Sequence, residues 1–205
     1  MMRLLHLGTQ SRGNCTLGTV FSYNSIIETF DEAVYFTGVT SLVANSFRED
    51  TNLASILFPP NITTILMSSF QNCKLTSIEL PASIESIGSY AFAYNSMLRQ
   101  LTMHPGIDTL GERAFFNCNA LISVVFPASV TKILTATFSG CSGLTEMVFL
   151  GQTPPTLANV SNSLGSNSYN WPIYVPDESV SAYKAASGWS NYASRVKGIS
   201  ERPTQ

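Results

Sequence analysis

Apolar residues return along the middle of this chain with a spacing of 22 or 23 positions. Phe47, Phe70, Phe92, Phe115 and Phe138 mark the period, each five residues after an aliphatic at Leu42, Ile65, Ile87, Leu110 or Ile133. Three positions further upstream lie Val39, Ile62, Ile84, Ile107 and Val130. Downstream the columns continue: Leu53, Leu75, Leu98, Leu121 and Leu144, then Ile56, Ile78, Leu101, Val124 and Met147, then Phe58, Leu80, Met103, Phe126 and Phe149. Pro59, Pro81 and Pro127 follow directly, and in one unit His104 comes before Pro105. A period of this length marks a stacked repeat array.

The columns predict local structure. Leu-x-x-Ile-x-Ile closed by proline reads as a short strand with alternating faces, ended by a residue that has no amide to donate. The stretch typified by Ser83–Gly88 turns two aliphatics three apart inward, and Tyr90-Ala91-Phe92 and its counterparts supply an aromatic knob in a helical or 3-10-like turn. One such unit cannot bury its apolar side alone, whereas stacked units share a core. The expected fold class is therefore an α/β solenoid: a short right-handed array of about five 22–23-residue coils, with strands about 4.8 Å apart. Each column phenylalanine should be buried, so Phe→Ala should cost about 3–5 kcal/mol, more at Phe92 and Phe115, which have coils on both sides, than at Phe47.

Residues 75–92, LTSIELPASIESIGSYAF, and 121–144, LISVVFPASVTKILTATFSGCSGL, resemble BspA-type leucine-rich repeats. The resemblance covers roughly residues 36–150 and extends to the flanks, since IYVPDESVSAYKAASGWSNYASRVKGI is similar to the C-terminal cap of that family. It implies a leucine-rich-repeat solenoid of bacterial origin, extracellular or at the cell surface, with an adhesin-like role.

The organisation expected is an N-terminal capping segment at 1–35, the solenoid at 36–150 and a cap at 151–205. Residues 151–171, with Pro154-Pro155 and a Ser/Asn/Gly-rich run, read as loop. A strand near Ile173–Val175 should follow, then a helix opened by Pro176-Asp177 and running through Ala186. Tyr183, Trp189 and Tyr192 would cover the last coil, which otherwise presents an open edge.

Charge narrows the function classes. Only 12% of the residues are charged and the net charge is −2, so no basic field attracts nucleic acid or an anionic membrane. The apolar stretch Leu4–Leu7 is too short for an export core or a bilayer span. Two histidines, His6 and His104, and no C-x-x-C provide no metal-ligand set, and no nucleophile elbow, P-loop or dinucleotide fingerprint occurs. The acidic pairs Asp31-Glu32, Glu49-Asp50 and Asp177-Glu178 read as loop charge or helix caps. No cofactor, metal or catalytic residue is expected. The sequons at Asn14, Asn61 and Asn159 read as products of a Ser/Thr/Asn-rich composition.

Cys73, Cys118 and Cys141 fall three residues after the column phenylalanine, where the other units carry Asp50 and Asn95. One small polar group per coil predicts a ladder bonded to the neighbouring coil's backbone, with reduced thiols. Strand alternation turns Ser55, Leu57, Ser77, Glu79, Gln100, Thr102, Ser123, Val125, Glu146 and Val148 outward. This nearly uncharged strip is the candidate partner-binding surface, facing a host or bacterial surface protein or glycan. A phage or virion structural protein and an accessory domain of a larger secreted enzyme are the alternatives.

Overall fold

A computed structural model describes residues 21–159, 162–165 and 170–203. His6, Asn14, Cys15 and the Leu4–Leu7 stretch lie outside the described residues. The chain winds into coils with three walls around a common apolar interior.

The first wall carries the five strands read from the repeat, β3 (Ser55–Ile56), β5 (Ser77–Glu79), β7 (Gln100–Thr102), β9 (Ser123–Phe126) and β11 (Glu146–Phe149), the expected cap strand β13 (Ile173–Val175), and two that the sequence reading did not include, β1 (Thr29–Phe30) and β14 (Val196–Gly198). Every pairing is parallel, but the wall is made of three ladders: β1–β3, β5–β7 and β9–β11–β13–β14. The second wall is a continuous six-stranded sheet of two-residue strands, β2 (Ser41–Leu42), β4 (Thr64–Ile65), β6 (Ser86–Ile87), β8 (Thr109–Leu110), β10 (Lys132–Ile133) and β12 (Thr156–Leu157). In each, a hydroxyl or lysine faces out and an aliphatic is buried. β12 lies within 151–171, so that segment is not all loop: it adds a last rung, with Lys132 opposite Thr156 and Ile133 opposite Leu157.

The third wall is built from turns. Amides of alternate residues donate to the next coil, as Asn45, Phe47 and Glu49 do to the carbonyls of Met67, Ser69 and Gln71. The intervening amides fold back three residues, Arg48 to Asn45 and Asp50 to Phe47. The bonding is thus 3-10-like, yet no helix forms, because two columns of residues take left-handed backbone: Asn45, Ser68, Tyr90, Arg113 and Ala136, then Glu49, Asn72, Tyr94, Asn117 and Gly140. Only Gly140 among them is free of the Cβ penalty. The inter-coil bonds of each turn hold the others in place.

The knob phenylalanines form one pillar. Phe47, Phe70, Phe92, Phe115 and Phe138 are fully buried, and successive rings stack nearly parallel with centroids 5.1–5.4 Å apart. The pillar extends below residue 36. Phe21 stacks on Phe47 at 5.1 Å with a 5° tilt, and β1 pairs with β3. A 26-residue gap between Phe21 and Phe47 hides this coil from the period.

At the other end, a 3-10 turn at Asp177–Ser179, capped by the extended Pro176 whose φ of −50° suits a turn entry, leads into α1 (Val180–Ala185). The described repeats contain no α-helix; α1 belongs to the cap. Tyr183, Trp189 and Tyr192 are fully buried over the last rung. Trp189 meets the Phe149 ring edge-on at 5.1 Å and donates its Nε1–H to the Pro155 carbonyl at 2.9 Å, while Tyr183 donates to the Gly151 carbonyl at 2.8 Å.

Candidate functional site: the strand wall

The outward positions of the strand wall form the surface expected from alternation over most of its length. Register places Ser77 beside Gln100, Glu79 beside Thr102, Ser123 beside Glu146 and Val125 beside Val148. Ser77, Glu79, Gln100 and Thr102 are exposed, Ser55 and Ser123 are half-buried, and Leu57 and Val125 keep 52% and 39% of their surface in water.

The strip ends sooner than alternation predicts. Val148 points outward but is only 3% exposed, and its neighbour Tyr174 on β13 is 4% exposed. The C-terminal 3-10 turn, Ile199–Glu201, packs against β13. From it Arg202 reaches back to β11 and holds Glu146 with both ends of its guanidinium, Nε to Oε2 at 3.0 Å and Nη2 to Oε1. The Glu146 hydrogen bond holds the Arg202 guanidinium above its usual pKa. Glu146 and Val148 are therefore parts of the cap's seat and not open contact positions. A lysine at Val148 would be buried, so that substitution damages the fold and does not report on binding.

Two shallow depressions lie along the remaining strip. The larger, about 400 Å³, is lined by Arg99, Gln100, Leu101, Thr102, Ile122, Ser123 and Val125; the smaller, about 290 Å³, by Ile122, Ser123, Thr145, Glu146, Pro172, Tyr174 and Pro203. Sharing Ile122 and Ser123, they adjoin as a shallow groove over β7, β9, β11 and β13, with Pro172 and Pro203 in the lining of the smaller one. The groove follows the break between the β5–β7 and β9–β14 ladders, where the Ile122 amide reaches the Arg99 carbonyl only at 3.5 Å; the next rung's equivalent, Thr145 to Ile122, measures 2.8 Å. Gln100, Thr102, Ser123 and Val125 were legible from alternation. Arg99 and Ile122 lie one position before the strands, and Pro172 and Pro203 arrive from the cap, so no local periodicity marks them.

The groove's charges are unequal. Glu146 is neutralised by Arg202, whereas Arg99 has no ion-pair partner among the described residues. One guanidinium thus stands beside amide and hydroxyl groups, with Ile122, 51% exposed, and Val125 as apolar floor.

The turn ladder carries no reactive chemistry. Cys73, Cys118 and Cys141 are free thiols, buried, each donating to the column phenylalanine carbonyl of the preceding coil at 3.1–3.3 Å. Burial pushes the Cys73 and Cys118 thiols well above their usual pKa, which removes the thiolate that nucleophilic chemistry needs. Asn95 does the same work with an amide, donating to the Phe70 and Phe92 carbonyls at 2.8 Å. Among the described residues no cluster of three metal-ligating side chains occurs, and no helix is long and apolar enough to cross a membrane. Among the described residues His104 pairs with Glu79, at 3.4 Å.

Solved structures share this architecture. A leucine-rich repeat protein of T. pallidum is 28% identical over 59% of this chain and 56% of its own, with a TM-score of 0.54. One from Bacteroides ovatus is 24% identical over 71% of this chain and 39% of its own, TM-score 0.57, and the pneumococcal vaccine antigen PcpA is 19% identical over 69% and 44%, TM-score 0.53. The chain thus matches little more than half of the first of these proteins and less than half of the other two. No curated protein matches it. Residues 18–145 match the BspA type leucine rich repeat region in six copies, one more than the plain period shows and in keeping with the coil that Phe21 begins. The chain belongs to the BspA-type leucine-rich-repeat family.

Proposed function

We propose that this chain is a non-catalytic binding module at a bacterial surface, and that its groove on the strand wall takes an extended, acidic segment of a partner protein. The carrying observation is the groove's combination of Arg99, which has no ion-pair partner among the described residues, with the exposed aliphatics Ile122 and Val125. Aliphatic floor suits leucine- or isoleucine-like side chains, the guanidinium suits a carboxylate, and a preformed surface lowers the ordering cost of association. Surface location follows from the family resemblance, and a glycan partner is the competing reading.

The test is to probe peptide and glycan arrays with the intact chain and with an Arg99→Glu/Val125→Lys variant. Both sites are exposed, so the variant should keep the parent stability to within about 0.5 kcal/mol per substitution. Acidic, aliphatic-rich peptides should bind the parent and lose at least tenfold in affinity to the variant. Retention limited to glycans, or peptide binding equal in both proteins, would overturn the reading.

A further inference from the structure

The ladder that runs along the third wall has one member that cannot do what the others do. At this position Cys73, Asn95, Cys118 and Cys141 each donate a hydrogen to the pillar phenylalanine carbonyl one coil earlier, Phe47, Phe70, Phe92 and Phe115. Asp50 occupies the same place in the first full coil. The rung below it is in register: Phe21 stacks on Phe47, and the Tyr23 amide donates to the Arg48 carbonyl at 2.7 Å, as the Glu49 amide does to Gln71 one coil on. Asp50 therefore belongs against the Phe21 turn. It is completely buried, and neither carboxyl oxygen has a hydrogen-bond partner among the described residues.

A carboxylate has only acceptors to offer, and a carbonyl has only acceptors to meet it. A carboxylic acid has the hydrogen that the amide and the thiols use in the other coils. We infer that Asp50 is a proton-dependent clasp: protonated, it fastens the Phe21–Phe30 coil onto the array, and ionised, it loosens that coil while the others stay closed.

The electrostatic surroundings agree with this. Burial raises the Asp50 carboxyl to about 7. Among the described residues the titratable groups around it are Glu49 in its own turn and the Cys73 thiol of the next coil, itself held up by burial and by the Asp50 charge. Arg48, two residues away, makes no hydrogen bond to either Asp50 oxygen. Because the folded carboxyl binds its proton more tightly than an unfolded one with a pKa near 3.9, closure of this coil is strongest at low pH. It weakens from about pH 4 to pH 7 and is level above that.

Amide hydrogen exchange of the full chain, corrected for intrinsic rates and read by mass spectrometry on peptides covering residues 21–30, tests the clasp between pH 5 and pH 8.5. In the parent, opening of this segment should rise about tenfold per pH unit up to pH 7 and then plateau, while peptides from β7 to β9 keep constant protection. Asp50→Asn, which installs the residue used at position 95, should remove the pH dependence, and Asp50→Cys should do the same should the amide fit poorly. A parent segment whose protection ignores pH, or a dependence that survives in both variants, would overturn the inference.

Discussion

At the scale of single residues, one deletion in the repeat explains one unusual side chain. Four ladder residues are followed three positions later by a column leucine whose amide bonds back to them: Leu53 to Asp50, Leu98 to Asn95, Leu121 to Cys118 and Leu144 to Cys141. Between Cys73 and Leu75 the chain is one residue short, which is why Phe70 and Phe92 are 22 apart and not 23. The buried Leu75 amide is left without that partner, and Asn95 from the next coil supplies Oδ1 at 3.3 Å. An amide is needed at position 95 because it can donate to two carbonyls and accept from Leu75 at once. Asn95→Cys, although it copies the neighbouring coils, should therefore cost about 1–3 kcal/mol in urea unfolding by orphaning a buried N–H. Insertion of one serine between Cys73 and Lys74 should recover most of that loss, and a double-mutant cycle reads the coupling directly. The spacing irregularity was visible in the sequence; its repair was not, because the bond runs between coils.

At the scale of elements, the pillar was legible and its lower end was not. Five phenylalanines at near-constant spacing announce a stack, but Phe21 sits 26 residues before Phe47, outside the pattern. The expectation that Phe47 is a terminal ring gives way to a different order of costs, since Phe47 is stacked between Phe21 and Phe70 and also meets Phe30 at 5.3 Å. Phe47→Ala, Phe92→Ala and Phe115→Ala should each lower stability by about 3–5 kcal/mol, and Phe21→Ala by distinctly less. Chemical denaturation of the four variants under one condition decides it; a Phe47 variant as mild as the Phe21 variant would contradict the continuous pillar. The six-stranded second wall escaped prediction for a plain reason: strands of two residues, such as Ser86–Ile87, contain no alternation to detect. Left-handed backbone at Tyr90, Arg113 and Ala136 escaped as well, since the residues that usually advertise it are glycine and asparagine.

For the molecule as a whole, stability depends on closing the exposed end of an open stack. Trp189, Tyr183 and Tyr192 lie over the final coil, and Trp189 is in edge contact with both Phe149 and Tyr183. Trp189→Ala should cost about 3–5 kcal/mol and make the protein self-associate with rising concentration, measured by light scattering, as uncovered strand edges seek partners. The same cap trims the candidate strip by covering Val148 and tying down Glu146, a link of 56 residues between Glu146 and Arg202 that no local pattern could announce. Alternation was right about where these side chains point and silent about what lies over them.

From Tyr23 to Asn117 the turns of the third wall pass alternate amide hydrogens forward, each coil giving to the one that follows. A coil copied in tandem in the interior would find a giver behind it and a receiver ahead, with nothing to re-aim. Whole units can thus be added or removed between the two ends with the closing pieces unchanged, and the strand wall lengthens or shortens by one rung at a time.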